Sequence, residues 1–300
     1  MGNPVPDDTR GIVDPTAMFE VVDFQRYPAG PSLEGLVAWL WSVSWALPPG
    51  TVHDQQVLNH PAGHISVGTI DDAGVPLDPA EGRVYGVLDR LSHRRLTGAG
   101  WTVAARSTVG GLGVLLDQPA RNATGRQLSL GEALPGIDPD LVPAVNAAVD
   151  AHGTAAGIAA GVERLRAGLE AVVGQRPSAL VEEARWVVEV ARLAETDRTV
   201  CRVEQLAERA CVSVRSLQRR FDRHVGASPS FVIRRWRIIE AAESARHART
   251  TGGEWPGWSA VAARLGYADQ AHLSRDFRHH LGVTPSAYVR RPPPRSTPAR

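Results

Sequence analysis

The chain has 300 residues, 43% of them hydrophobic and 22% charged, and carries a formal net charge of +1. Such a composition excludes disordered, collagen-like and membrane-embedded classes and leaves a folded protein with room for two ordinary domains. Two cysteines supply neither a disulfide framework nor a zinc site. The charge is unevenly spread. All 33 basic side chains are Arg, which we read as GC-rich coding bias. From Arg198 onward nineteen Arg face eight acidic residues, a balance of +11, whereas residues 1–197 carry −10. A basic C-terminal region tethered to an acidic N-terminal one is the electrostatic footprint of a nucleic-acid binder. No stretch approaches a membrane span, and Met1–Arg10 is polar without the apolar core of a signal peptide, so the expected location is cytoplasmic and nucleoid-associated, with no membrane partner.

Residues 1–174 read as one α+β domain, β-rich to about residue 118. Met1–Pro31, rich in Pro, Gly and Asp, begins as a loose tail, Glu20–Phe24 is a first strand, and Pro31–Val37 a turn or two of helix. Trp39, Trp41, Val43 and Trp45 alternate with Leu40, Ser42 and Ser44, the period of a strand. Further strands are expected at Gln56–Asn59, Ile65–Ile70, Arg83–Leu88 and Trp101–Thr108, giving a mainly antiparallel unit. Helices follow at Leu112–Leu116, Pro139–Ala151 and Ala155–Val173. The last is either a dimer helix or one packed inside its own domain. Trp39, Trp41 and Trp45, with Trp101 on another strand, are candidates to line an aromatic ligand pocket, or simply core. His53, His60 and His64 lack the spacing and the adjacent Glu of a metal triad, and His93 beside Arg94-Arg95 reads as a charged strand edge. With no Ser/His/Asp set or phosphate loop either, the expectation is no cofactor, no metal and no enzyme.

A second, all-α domain spans 175–291. Pro177 opens a helix over Gln175–Glu195, and then the chain says one thing twice. Ala207, Leu217, Arg219, Phe221, Gly226 and Pro229 moved forward by 56 positions land on Ala263, Leu273, Arg275, Phe277, Gly282 and Pro285, with Ser213 landing on Asp269. Self-similarity at a fixed offset marks a duplicated supersecondary unit. Each copy reads helix, turn, N-cap, second helix, Gly, Pro. Val203, Leu206, Ala207 and Ala210 make one apolar stripe; Val214, Leu217 and Phe221 face inward on the next helix, with Arg215, Gln218, Arg219 and Asp222 outward. In the second copy Val261, Ala262, Leu265, Leu273 and Phe277 point in, while Ala271, Ser274, Arg275 and Arg278 stay outside, with Gln270 and His272 at the margins. This is a helix-turn-helix in tandem, its second helices suited to the major groove of double-stranded DNA. Pro229–Thr250 is one long connecting helix carrying Arg234, Arg235, Arg237, Arg246 and Arg249, divided between phosphate contact and ion pairs with Glu240 or Glu243. Thr250–Pro256 is a loop, and residues 292–300 form a tail disordered by composition. Cys201 and Cys211 flank the first helix of the repeat as spectator thiols.

Ser213–Phe221 followed by Gly226-Ala-Ser-Pro229, and Val261–Phe277 followed by Gly282-Val-Thr-Pro-Ser-Ala-Tyr288, resemble the two signatures of AraC/XylS-type transcriptional regulators. The resemblance implies base contacts from Arg215, Gln218 and Arg219 and from Ala271, His272 and Arg275. Ala271, a departure from the pattern, offers only an apolar contact. It implies phosphate contacts from Ser213, Arg234, Arg235, Gln270, Ser274 and Arg278. Pro28–Trp45, His60–His64 and Gly110–Gly113 resemble a variant N-terminal domain of actinobacterial members, which implies a cupin-like β-barrel that senses a small molecule or mediates a homodimer. RNA polymerase is the further partner implied. An architectural DNA-binding protein and, less well supported, a cupin-like metal enzyme are the alternatives.

Overall fold

The computed structural model describes residues 9–71, 73–116, 118–151, 154–251, 255–290 and 297–298. Its N-terminal part opens with α1 (Pro15–Phe19), which starts at Asp14, whose carboxylate accepts the Ala17 N–H at 3.0 Å. Seven strands follow: β1 (Val22–Tyr27), β2 (Val37–Ala46), β3 (Thr51–Val57), β4 (His64–Ile70), β5 (Pro76–Tyr85), β6 (Ser92–Thr97) and β7 (Ala99–Ser107). Then come α2 (Leu112–Leu116), β8 (Gln127–Ser129), α3 (Leu130–Ala133), α4 (Leu141–Ala151) and α5 (Thr154–Gly174). One antiparallel sheet runs in the order β1-β2-β7-β4-β5-β8. β3 pairs instead with β6. The β unit is therefore two facing sheets, and no strand pairing among the described residues closes them into the expected barrel.

The pleat of β2 divides its side chains as the alternation predicts. Leu40 joins Ile65, Val67, Val103 and Ala105 on the face covered by the buried stripe of α5, Val162, Leu165, Leu169 and Val172. Thus α5 packs inside its own domain. Trp39, Trp41, Val43 and Trp45 take the opposite face, toward the small sheet. Three expectations shift. β6 makes a full strand of what the sequence marks only as a charged edge at His93, with Ser92, Arg94 and Leu96 facing inward and His93 and Arg95 outward. β5 begins at Pro76 and ends at Tyr85, leaving Leu88 in a connection rather than a strand. Thr297–Pro298, in the expected disordered tail, forms a two-residue strand β9 on the free edge of β3 at Thr51 and Val52, where unpaired backbone groups accept a partner. The rest of that tail, and Gly252, Gly253 and Glu254 of the expected loop, lie outside the described residues.

The C-terminal part is helical throughout: α6 (Ser178–Thr196), α7 (Val203–Arg209), α8 (Val214–His224), α9 (Pro229–Thr251), α10 (Gly257–Arg264), α11 (Gln270–Leu281) and α12 (Pro285–Arg290). α6 belongs to two cores. Ala184, with Leu180 and Val181 beside it, packs in the first, whereas Val187, Val190, Ala191 and Ala194 pack in the second. That second core also takes Leu58 and Val87 from the β domain, so the two parts share buried surface.

Candidate nucleic-acid interface and ligand cavity

The two helix-turn-helix units are built to one plan. α7 ends with the Val212 N–H bonded to the Ala207 carbonyl and the Cys211 N–H to that of Glu208. α10 ends with Tyr267 bonded to Ala262 and Gly266 to Ala263. Both are Schellman caps, with left-handed residues Cys211 (φ 53°) and Gly266 (φ 70°). Counting from these caps, Ala207 matches Ala262 and not Ala263. Ala207 and Ala262 are buried, and Ala263 is exposed. The second turn holds one extra residue, Ala268, which restores the 56-residue offset at the next N-cap. There Ser213 Oγ accepts the Ser216 N–H at 3.2 Å, and Asp269 Oδ1 accepts that of His272 at 2.7 Å.

Beyond the caps, Leu217, Phe221, Leu273 and Phe277 are all fully buried, which fixes the rotation of each second helix. Arg215, Gln218 and Arg219 stand exposed on α8, and Ala271, His272, Arg275 and Arg278 on α11. Arg219 and Arg275 occupy the same position of their helices. Ser274 is half-buried, and exposed Gln270 accepts a hydrogen bond from Ser259 Oγ at 2.8 Å. On α9, Arg234 is exposed, Arg246 pairs with Glu243, and Glu240 pairs with Arg198 at 2.5 Å. The side chain of Arg249 lies outside the described residues.

Arg235 is a correction. Expected at phosphate, it is fully buried, with Nη2 donating to the Leu88 carbonyl at 2.7 Å and its guanidinium 5.0 Å from the Phe231 ring centroid. Burial pulls its pKa down to about 10, against the raising influence of Asp89. The helical pattern places Arg235 on α9 but carries no sign that the connection after β5 lies on top of it.

That contact is one of several that dock the β domain on both helix-turn-helix units. Asp89 O meets His280 Nδ1 at 3.2 Å near the end of α11. Thr124 Oγ1 reaches Gly226 O, and Arg121 pairs with Asp222, at the end of α8. His60 and Trp236 meet edge to face, their ring centroids 4.9 Å apart. His224 and His280 also obey the 56-residue offset, a match the sequence reading overlooked. Both are buried in the last turn of the second helix of their unit. Burial lowers the His224 pKa despite its bond to Glu183 at 3.1 Å, and holds His280 at about 4, aided by Arg235.

Between the two sheets lies a cavity of about 210 Å³ whose lining includes Trp39, Trp41 and Trp45. Trp101 is not among its walls. It pairs with Ser44 across β2 and β7, and directly opposed residues share a face, so Trp101 lies on the helix side against the first core. His60 and His64 line the cavity, which the metal reading of their spacing did not anticipate. His60 Nδ1 accepts from Arg106 Nη1 at 2.6 Å, and its Nε2 donates to the Arg10 carbonyl at 3.1 Å. That is a neutral tautomer, in line with a pKa lowered by burial and by Arg106. His64 is lowered to about 3 by burial, then Arg106 and Arg94. His53 lies apart, bonded to Gln55 at 3.1 Å.

Two capped, outward-charged second helices joined by one long helix define the class: a double helix-turn-helix module. A family model described as a helix-turn-helix domain matches residues 206–291, and one described as a domain of unknown function (DUF6597) matches residues 25–129. The chain is similar to the transcriptional activator RhaR of Pectobacterium atrosepticum, 36% identical over 90 residues, which cover 30% of this chain and 30% of that protein. It is also similar to an AraC-like transcription regulator of Streptomyces lividans, 34% identical over 90 residues, covering 30% and 28%. Residues 206–291 are thus a helix-turn-helix domain, similar to that of AraC-like regulators. The chain spans less than half the length of these curated relatives. Among solved structures, ToxT from Vibrio cholerae aligns over 90% of this chain and 98% of its own at 11% identity with a TM-score of 0.34. No helix among the described residues is long and apolar enough to cross a membrane.

Proposed function

We propose that the protein is a sequence-specific DNA-binding transcriptional regulator, with α8 and α11 reading two successive major grooves. The observation that carries this reading is the pair of N-capped helices with matching buried anchors and exposed Arg219 and Arg275 at the same position. Arg bonds guanine O6 and N7 bidentately and Gln bonds adenine N6 and N7, so Arg215, Gln218, Arg219 and Arg275 are the right chemical types, with His272 and Ala271 beside them. Ser213, Arg234, Gln270, Ser274 and Arg278 grip phosphate. Residues 1–174 form the sensor and 175–291 the DNA-binding part. The cavity between the sheets holds the effector, RNA polymerase is the second macromolecular partner, a second copy of the chain completes a homodimer, and the protein acts in the cytoplasm.

Selection of the full-length chain against a random DNA pool at physiological salt tests this. Two unlike boxes about one helical turn, roughly 34 Å, apart are expected. Tight, salt-sensitive binding with no enriched motif would favour an architectural role instead.

A further inference from the structure

The cavity between the two sheets has a composition that specifies its occupant. We propose that it binds a small aromatic carboxylate, the ring lying among Trp39, Trp41 and Tyr85 and the carboxylate engaging Arg106. The assignment rests on the reading of this domain as the sensor of a regulator, and it names the ligand class of that sensor.

Size comes first. A dry cavity of about 150 Å³ accommodates benzene, so about 210 Å³ is room for one ring with a short polar arm. Charge comes second. The lining carries Arg10, Arg26, Arg83, Arg94 and Arg106 with Asp71 and Glu81; Arg10 pairs with Glu195 at 3.0 Å and Arg83 with Glu81 at 2.8 Å, while Arg26 and Arg106 lie over the Trp39 ring and Arg94 over that of Tyr85. A partly desolvated cationic wall favours an anion and repels a cation. Placement comes third. The Arg106 guanidinium lies 3.6 Å from the Trp39 ring centroid, which brings a carboxylate-binding fork and a flat apolar surface to one point. Asn59, only 8% exposed, lines the same space, and its Nδ2, a donor, has no hydrogen-bond partner. An amide N–H complements a carboxylate oxygen. The two cavity histidines are neutral, so the positive charge is that of the arginines.

The test is calorimetric titration of the full-length chain, without DNA, with benzoate and phenylacetate beside benzamide and phenylacetamide. The two carboxylates are expected to bind at least tenfold more tightly than their isosteric amides. Arg106→Gln removes that preference. Asn59→Asp, which places a second negative charge beside the ligand, weakens the carboxylates and leaves the amides alike. Arg95→Gln, an exposed change on β6 outside the cavity, leaves the preference intact. Equal affinity for acid and amide, or no binding of any of the four at millimolar concentration, overturns the proposal. The two readings fail separately. An enriched DNA motif without carboxylate binding sinks the ligand class alone, and carboxylate binding without an enriched motif sinks the regulator.

Discussion

Cys211 holds a backbone angle that glycine adopts at far lower cost. It is exposed, φ is 53°, and its counterpart in the second unit is Gly266. Replacing Cys211 by Gly is expected to stabilise the protein by about 1 kcal/mol, because the left-handed region penalises a Cβ. A thermal midpoint that fails to rise would show that the thiol makes a compensating contact. At the same scale, Arg219→Ala is expected to cost about 1–3 kcal/mol of DNA affinity and to relax one base position, whereas Arg278→Ala weakens all sequences alike. Binding measured on a panel of single-base operator variants separates the two, and uniform weakening by Arg219→Ala would assign that side chain to phosphate.

Among whole elements, the contact between α2 and α8 is the one to disturb. A Cβ built on Gly113 would lie 2.4 Å from the Arg223 carbonyl oxygen and 2.8 Å from the His224 Cα, and backbone atoms cannot step aside as a flexible side chain would. Gly113→Val is therefore expected to destabilise by about 1–3 kcal/mol through overpacking, and to raise protease sensitivity between the two parts while leaving helical content unchanged. An unaltered melting profile would mean that the two helices separate freely. Sequence periodicity disclosed α2, α5, α6 and the whole tandem unit, because each carries an apolar stripe that its own packing requires. It also disclosed the face of β2 that bears three tryptophans. It could not assign Trp101, whose face depends on its pairing opposite Ser44, nor the extent of β6, of which it marked only a charged edge at His93. It misplaced Arg235 for a related reason: a contact 147 positions away in sequence leaves no local trace.

The molecule as a whole is tuned to neutral pH by its buried histidines. His280, held at about 4, and His64, at about 3, stay neutral in the folded chain, while in the unfolded chain they titrate near 6.5. Below about pH 6.5 the unfolded state takes up protons that the folded state refuses, so stability is complete above that pH and falls as the medium is acidified. Each such histidine contributes a slope of about 1.4 kcal/mol per pH unit in this window. Denaturant midpoints are expected to drop between pH 7.5 and 5.5, with His280→Asn flattening part of the decline. A midpoint constant across that range would show these rings to be solvated.

The connection at Leu88 and Asp89 also has a meaning in time. It accepts Arg235 and His280, residues 147 and 191 positions further along the chain. During synthesis the β domain leaves the ribosome before α9 or α11 exists. α9 and α11 are thus born onto a finished surface that already offers two carbonyls and the apolar Leu58 and Val87. Trimming the chain from its front removes this template, whereas trimming from its back leaves the template whole and merely unused.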